Sequence, residues 1–290
     1  MPRHPDRNEG CAFLTLAFAA ALLFPLTALG QGAEKDLDTP YVPTPEAVLK
    51  RMLELAEVKS GDTVVDLGSG DGRLVITAAL KHGAHGFGVE LDPGLVARSN
   101  ESARRAGVAD RVKFLQQDLF QTDFRAADVL TLYLLPDVNL ALRPKILADL
   151  KPGARVVSHD YGMREWRPDA IETVQAPDKT VGIRKESTVY LWVVPAKLEG
   201  SWELQIGKHT LRLELRQQYQ MLSGTIGAAG QGSVPISEGR LRGEELRVTL
   251  PGGIVGEEPI ELIGQVVGDA LRGSARRDGR EIAGWSAQRR

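Results

Sequence analysis

Val64-Val65-Asp66-Leu67-Gly68-Ser69-Gly70-Asp71-Gly72-Arg73-Leu74 decides the fold. A short apolar run ends in an aspartate, a glycine-rich turn follows, and a helix-period segment begins. That order predicts a strand, a tight loop and a helix N-terminus, where bare backbone can approach a ligand closely. A second apolar run, Gly86-Phe87-Gly88-Val89, ends in Glu90. A carboxylate at the tip of the next parallel strand is where the free hydroxyls of a ribose are held. The pair of signals points to a nucleoside-containing ligand.

The spacing narrows the ligand. A dinucleotide fingerprint needs glycines at its first, third and sixth positions. Here the glycines are Gly68, Gly70 and Gly72, and Arg73 occupies the sixth position. Asp66 just before the turn would work against a pyrophosphate but would help to orient an amino group. S-adenosylmethionine carries an ammonium, a sulfonium and a ribose and no phosphate, so it fits better than a nicotinamide dinucleotide. A further acidic turn at Gln117-Asp118-Leu119 supports this reading against a glycine turn that binds nothing.

Around the loop the chain alternates. Tyr41-Val42-Pro43-Thr44-Pro45 leads into an amphipathic helix, with Thr44 as the expected N-cap and Pro45 at the first helical position. Strands are expected at Thr63–Leu67, His85–Glu90, Val112–Gln116, Asp128–Leu134 and Ala154–His159. Helices are expected between them at Arg73–Lys81, Gly94–Ala106 and Val138–Leu150. This alternation predicts an α/β fold, a Rossmann-like parallel sheet covered by helices on both faces. Ile171–Gln175 and Thr188–Val194 add a terminal antiparallel pair and bring the sheet to seven strands.

Beyond Pro195 helical periodicity disappears. Period-two alternation replaces it in Leu211-Arg212-Leu213-Glu214-Leu215 and Leu246-Arg247-Val248-Thr249-Leu250. Gly239–Gly243 and Gly268–Gly273 look like two related turn-and-strand units. A small antiparallel barrel or sandwich of roughly six to eight strands is expected, with Trp202 and Trp285 in its core. It carries no catalytic cluster, so its expected role is stability or partner binding. The expected division is residues 1–30 as signal peptide or anchor, 31–40 as linker, 41–195 as the catalytic domain and 196–290 as the β domain.

At the N-terminus, Arg3, His4 and Arg7 precede an apolar run from Cys11 to Leu29, broken only by Thr15, Pro25 and Thr27. Ala28 and Gly30 suit a cut after Gly30, which reads as a secretory signal peptide. An uncleaved membrane anchor is the rival, because the run is near the lower length limit for a span. Export or anchoring outside the cytoplasm is expected from the flanking charges, with a cytoplasmic catalytic domain left open. Cys11 is the only cysteine of the 290 residues, which excludes a cysteine nucleophile or cysteine metal cluster in the processed chain. No metal site is expected, since His82, His85 and His209 show no ligand spacing. A formal net charge of −2 gives no electrostatic footprint for nucleic acid.

Asp66–Gly72 together with Glu90 and Asp118 resembles the class I S-adenosylmethionine-dependent methyltransferases, whose seven-stranded sheet ends in a late hairpin. A narrower resemblance runs through Tyr41-Val42-Pro43, Val65–Arg73, Gly88-Val89-Glu90-Leu91-Asp92-Pro93, Asp118-Leu119, Leu135-Pro136, Gly153–Ser158 and Trp166-Arg167-Pro168. Over Tyr41 to Asp169 the chain looks like the mitochondrial protein-lysine methyltransferases that act on adenine nucleotide translocase and the ATP synthase c-subunit. The resemblance implies that Gly68 and Gly70 approach the methionine part of the cofactor and Asp66 orients its amino group. It also implies that Glu90 holds the ribose, Asp118 lies by the adenine and Tyr41 closes over the cofactor. The implied acceptor is a protein lysine, with membrane association and oligomeric state left open. The β domain and the export signal depart from that family.

On the acceptor side, Leu132-Tyr133-Leu134-Leu135-Pro136 falls after the fourth strand, at the edge where ligands bind. Tyr133 is the candidate wall of an acceptor channel, with a plain core role as the other reading. His159 is the candidate base, set against a hydrogen-bonded structural role. Two further functions stay open: an exported non-catalytic binding protein with a methyltransferase fold, and a methyltransferase with a small-molecule acceptor.

Overall fold

The computed structural model describes residues 41–228 and 231–290. The expected signal peptide or anchor and the linker lie outside these residues.

The first sheet contains seven strands: β1 (Thr63–Leu67), β2 (His85–Glu90), β3 (Val112–Gln116), β4 (Val129–Leu132), β5 (Arg155–His159), β6 (Ala170–Gln175) and β7 (Glu186–Val193). Their order is β3-β2-β1-β4-β5-β7-β6, with β1 to β5 parallel and β7 antiparallel to both β5 and β6. The order reverses direction beside β1, which makes the carboxyl ends of β1 and β4 the switch point where an open α/β sheet receives its ligand. Helices α1 (Glu46–Leu55), α2 (Arg73–His82), α3 (Pro93–Arg105) and α4 (Pro136–Asp149) cover the sheet. The four-residue burial of β4 and the buried run Val64–Leu67 in β1 mark the two central strands, covered on both faces.

Several boundaries differ from the sequence expectation. Thr44 does not cap α1. Pro45 occupies that position without a side-chain bond, and the Thr44 hydroxyl turns inward to within 3.5 Å of His159 Nδ1. Strand β4 stops at Leu132, opposite the last paired residues Leu67 and Ser158, so Tyr133, Leu134 and Leu135 leave the ladder as a loop. Helix α4 then begins at Pro136, whose fixed φ suits the first helical position. Helix α3 also starts one residue early, because the Asp92 side chain accepts from Gly94 N–H at 2.6 Å and Leu95 N–H at 3.2 Å.

The second sheet runs from β8 (Gly200–Ile206) through β9 (His209–Gln218), β10 (Met221–Ala228), the two-residue β11 (Val234–Pro235), β12 (Glu238–Arg242), β13 (Glu245–Leu250), β14 (Ile260–Val267) and β15 (Ala270–Arg277) to β16 (Arg280–Arg289). Because β10 pairs with β9 as well as with β12, eight of the nine strands close into an antiparallel barrel, with β11 added along the far half of β10. Leu211, Leu213 and Leu215 of β9 point inward while Arg212 and Glu214 point out. Trp202 and Trp285 are buried in the barrel core. The interior is filled with side chains, as an eight-stranded barrel of this size allows.

The barrel meets the sheet at the end remote from the switch point. Gly243, in the left-handed region at φ 62°, would bring an added Cβ within 3.0 Å of Gly153 Cα, just before β5. Arg240 pairs at 2.7 Å with the buried Asp169, which also accepts from Val193 N–H at 2.8 Å. Gln220 donates to the Arg167 carbonyl, and the Tyr219 ring stacks on Trp166 at 6.1 Å.

Candidate functional site

The glycine loop leaves β1 with Gly68, Gly70 and Gly72 at φ 77°, 52° and 78°. These left-handed values strain any residue with a Cβ. Gly68 and Ser69 both donate their N–H groups to the Val89 carbonyl at 2.9 Å, which fixes the loop to β2. Glu90 is held by backbone in turn. Its carboxylate accepts from Gly70 N–H at 3.0 Å, Leu91 N–H at 2.7 Å and Asp92 N–H at 3.2 Å. The loop and the strand-end carboxylate thus form one preset unit.

Asp66 lies beneath the loop, buried. Its carboxylate accepts from the Thr131 hydroxyl at 2.6 Å, across the β1–β4 register where Asp66 stands opposite Thr131. Burial pushes the Asp66 carboxyl up to about 7; the Thr131 bond works against this, and the Glu90 and Asp71 charges add to it. Burial would also raise Asp71, but the Arg73 guanidinium, paired at 2.7 Å, outweighs it and holds that carboxyl below its ordinary value. The Tyr41 ring lies directly over Gly70, where an added Cβ would strike it. Its hydroxyl is raised above the usual phenol value by burial and by the hydrogen bond to Asp71.

Tyr133 and His159 stack at 3.8 Å between ring centroids, one after β4 and one ending β5. Burial raises the Tyr133 phenol to about 12, helped by the Asp160 charge. His159 is fully buried, with Nε2 at 2.8 Å from the Ser187 hydroxyl and Nδ1 facing Thr44. Burial pushes its imidazole down to about 4, against the pull of Asp160 and with the push of Lys179. Asp160 takes φ 61° and is pinned by Thr188 N–H at 2.9 Å and by Lys179 Nζ at 2.7 Å.

The fold brings Tyr41, Asp66, Gly68, Gly70 and Glu90 together at the switch point. Asp118 follows β3 on the same edge, its side chain accepting from Phe120 N–H at 2.9 Å. His82 ends α2 and His209 opens β9, while His85 bonds Thr63; among the described residues no group of acidic, histidine or cysteine side chains could hold a metal. Thr131, Arg73 and Asp160 are not among the candidates that the sequence offers. Thr131 alone has a legible signal, a hydroxyl within the apolar run Val129-Leu130-Thr131-Leu132.

Which ligand fits follows from charge. Asp66 and Glu90 place negative charge at the loop, and the Glu90 and Asp71 charges add to the upward push that burial gives the Asp66 carboxyl. An ammonium and a sulfonium offset that charge, whereas a pyrophosphate would add to it. Strand order, switch point and acidic glycine loop define an S-adenosylmethionine-dependent methyltransferase. The sequence profile of the ANTKMT methyltransferase domain matches residues 66–170. The chain is 41% identical over 156 residues to a protein-lysine N-methyltransferase of Saccharolobus islandicus, covering 53% of this chain and 93% of that one. It is 35% identical to the lysine N-methyltransferase of the ATP synthase c-subunit from Xenopus laevis, covering 54% and 67%. An RNA methyltransferase from Salinibacter ruber, solved with S-adenosyl-L-homocysteine, is 50% identical over 54% of this chain and 96% of its own, with a TM-score of 0.49. The chain belongs to the ANTKMT-type family of methyltransferases.

Proposed function

We propose that this chain methylates the side-chain amine of a lysine in a protein. The observation that carries the reading is the pairing of the acidic glycine loop with an aromatic wall, Tyr133 on His159, that offers an incoming side chain no charged base. The relatives named protein-lysine N-methyltransferases support the acceptor class.

In this reading Asp66 orients the cofactor's ammonium, Glu90 accepts the ribose hydroxyls, Asp118 lies by the adenine and Tyr41 covers the loop. Bound S-adenosylmethionine supplies an electrophilic methyl on a sulfonium. Transfer to the acceptor amine would form a nitrogen–carbon bond as the sulfur–carbon bond breaks, leaving a thioether and a methylated ammonium; the one proton released is the one the lysine loses before attack. The protein contributes orientation and exclusion of water. A lysine with an ordinary pKa of about 10.4 arrives mostly protonated, and His159 is buried, engaged at both nitrogens and a weak base. We therefore assign His159 a positioning role beneath Tyr133, with deprotonation to solvent as the amine enters. The catalytic unit is taken as residues 41–195, and the barrel serves stability or partner binding. Export or anchoring through the first thirty residues stays part of the proposal, tested by fractionation with N-terminal sequencing.

Calorimetry with S-adenosylmethionine on the purified chain tests the cofactor side; no heat of binding at millimolar cofactor rejects it. Incubation of lysate with methyl-labelled cofactor tests the acceptor. Label retained by a size filter, protease-sensitive and mapped to lysine by mass spectrometry is expected, and lost in Gly70→Arg. Label that passes the filter would mean a small-molecule acceptor. Cofactor binding with no transfer would mean a non-catalytic binding protein.

A further inference from the structure

The turn that follows β5 is anchored more heavily than a plain connection needs. Asp160, in the left-handed region at φ 61°, donates its N–H to the Thr188 carbonyl at 2.7 Å and accepts from Thr188 N–H at 2.9 Å. Tyr161 N–H donates to the His159 carbonyl at 2.8 Å. The Tyr161 carbonyl accepts from the Ser158 hydroxyl at 2.7 Å and from the fully buried Asn139 amide of α4 at 3.2 Å. A non-glycine residue at positive φ persists only where its surroundings over-determine it, and such strain gathers at functional sites. What these bonds hold in place is a carboxylate beside two phenols, since the Tyr133 hydroxyl feels both the Asp160 charge and the Tyr161 hydroxyl.

That carboxylate already holds a cation. Lys179 Nζ donates to Asp160 Oδ2 at 2.7 Å and to the Glu186 carbonyl at 2.8 Å. Lys179 comes from the loop between β6 and β7, and from Pro177 to Lys185 it is the one residue that is not exposed. The loop therefore meets the site through a single ammonium and buries no apolar side chain that would oppose its withdrawal. A second tie, from Glu46 N–H to Asp178, is exposed and 3.3 Å long. Burial would raise the Asp160 carboxyl, but Lys179 and the Thr188 N–H outweigh it and hold it below its ordinary value. Asp160 is thus an anion at neutral pH, suited to dock a cation and unsuited to take a proton.

We propose that Asp160 is the docking anion for the acceptor's ammonium, flanked by Tyr133 and Tyr161, and that Lys179 holds this place until an acceptor arrives. The inference rests on the lysine reading above and names the group that recognises that lysine. The resting occupant is itself a primary ammonium on a flexible four-carbon stem. Exchange of like for like leaves the carboxylate paired before and after, whereas loss of the cation alone would strand it. Phenol rings beside an ammonium add cation–π attraction. The acceptor's proton goes to solvent as the amine leaves Asp160 for the sulfonium methyl. While Lys179 occupies the place, apparent acceptor affinity falls by the fraction of time the place is open.

The test titrates the full chain, saturated with S-adenosylhomocysteine, with a blocked Gly-Lys-Gly tripeptide and with its uncharged norleucine counterpart, followed by NMR. Asp160→Asn should weaken the lysine peptide by about tenfold and leave the norleucine peptide unchanged. Lys179→Met should tighten the lysine peptide severalfold, and the double variant should behave as Asp160→Asn alone. A plain structural pair predicts the opposite for Lys179→Met, unchanged or weaker binding, and that result overturns the inference. So does an equal loss for both peptides in Asp160→Asn. Should Asp160→Asn fail to fold, Lys179→Met decides by itself. Methyl transfer to the lysine peptide by Asp160→Asn with the parent's KM overturns this inference and leaves the lysine reading standing. No binding or transfer with any variant, while calorimetry still shows S-adenosylmethionine bound, overturns both.

Discussion

Asp66 and His159 carry opposite electrostatic burdens at the two halves of the site. The Asp66 carboxyl titrates near 7 in the fold and near its ordinary value when unfolded, so its contribution to stability is greatest in acid and is lost as pH rises from about 4 to about 7. His159 stays neutral in the fold down to about 4, while the unfolded imidazole protonates near 6.5, so its contribution is lost as pH falls through that window. The two trends cancel over much of the same range. Single variants separate them. His159→Gln should leave melting temperature rising as pH falls from 6.5, and Asp66→Asn should stabilise the unliganded chain at pH 8 by on the order of 1–3 kcal/mol. The same Asp66→Asn should weaken cofactor binding at least tenfold. In the parent chain, binding near pH 7 should release a proton, seen as a calorimetric enthalpy that changes with buffer ionisation heat; a buffer-independent enthalpy would contradict the assigned role.

Among the elements, the loop between β1 and α2 is the least tolerant. Gly70→Ala places a methyl against the Tyr41 ring in a left-handed backbone conformation, so it should lower cofactor affinity more than tenfold while costing about 1–2 kcal/mol of stability. Titration with S-adenosylmethionine and thermal melts check both numbers. This loop is legible in the sequence because its requirements are local: three glycines, an aspartate before them and a glutamate one strand on. The acceptor side is less legible. Tyr133 and His159 are separated by a helix in sequence, and their stacking depends on where β4 releases its ladder. The expected Thr44 cap fails for a related reason. A hydroxyl before a proline satisfies the local capping pattern, but a buried histidine from a distant strand recruits it instead. The closure of the barrel by β9 with β10 also lies beyond local pattern, since period-two alternation serves a sandwich equally well.

On the scale of the whole molecule, the barrel holds the sheet by the end opposite the glycine loop. Asp169 is its key contact, satisfying both Arg240 and the Val193 N–H from a buried position. Asp169→Ala removes both partners' acceptor and should cost about 1–3 kcal/mol, lowering the melting temperature. Cofactor affinity should not move, because no bond of that junction reaches the switch point. A parallel loss of affinity would show that barrel and site are coupled. Closing this junction takes side chains far apart in sequence, Tyr219 on Trp166 and Gln220 on Arg167, which alternation patterns do not reveal.

The short lead segment Tyr41–Pro45 touches both halves of the chemistry. Tyr41 roofs Gly70 and bonds Asp71, the Thr44 carbonyl accepts from Arg73 at 3.1 Å, and the Thr44 hydroxyl faces His159 under Tyr133. Anything that lifts this segment to admit the cofactor also loosens the support of the acceptor wall, and its closure restores both. Turnover should therefore be ordered: cofactor on first, acceptor second, methylated product off before the spent thioether. S-adenosylhomocysteine should then inhibit competitively against S-adenosylmethionine and noncompetitively against the acceptor, and a random-order pattern would show that the strap works as two independent pieces.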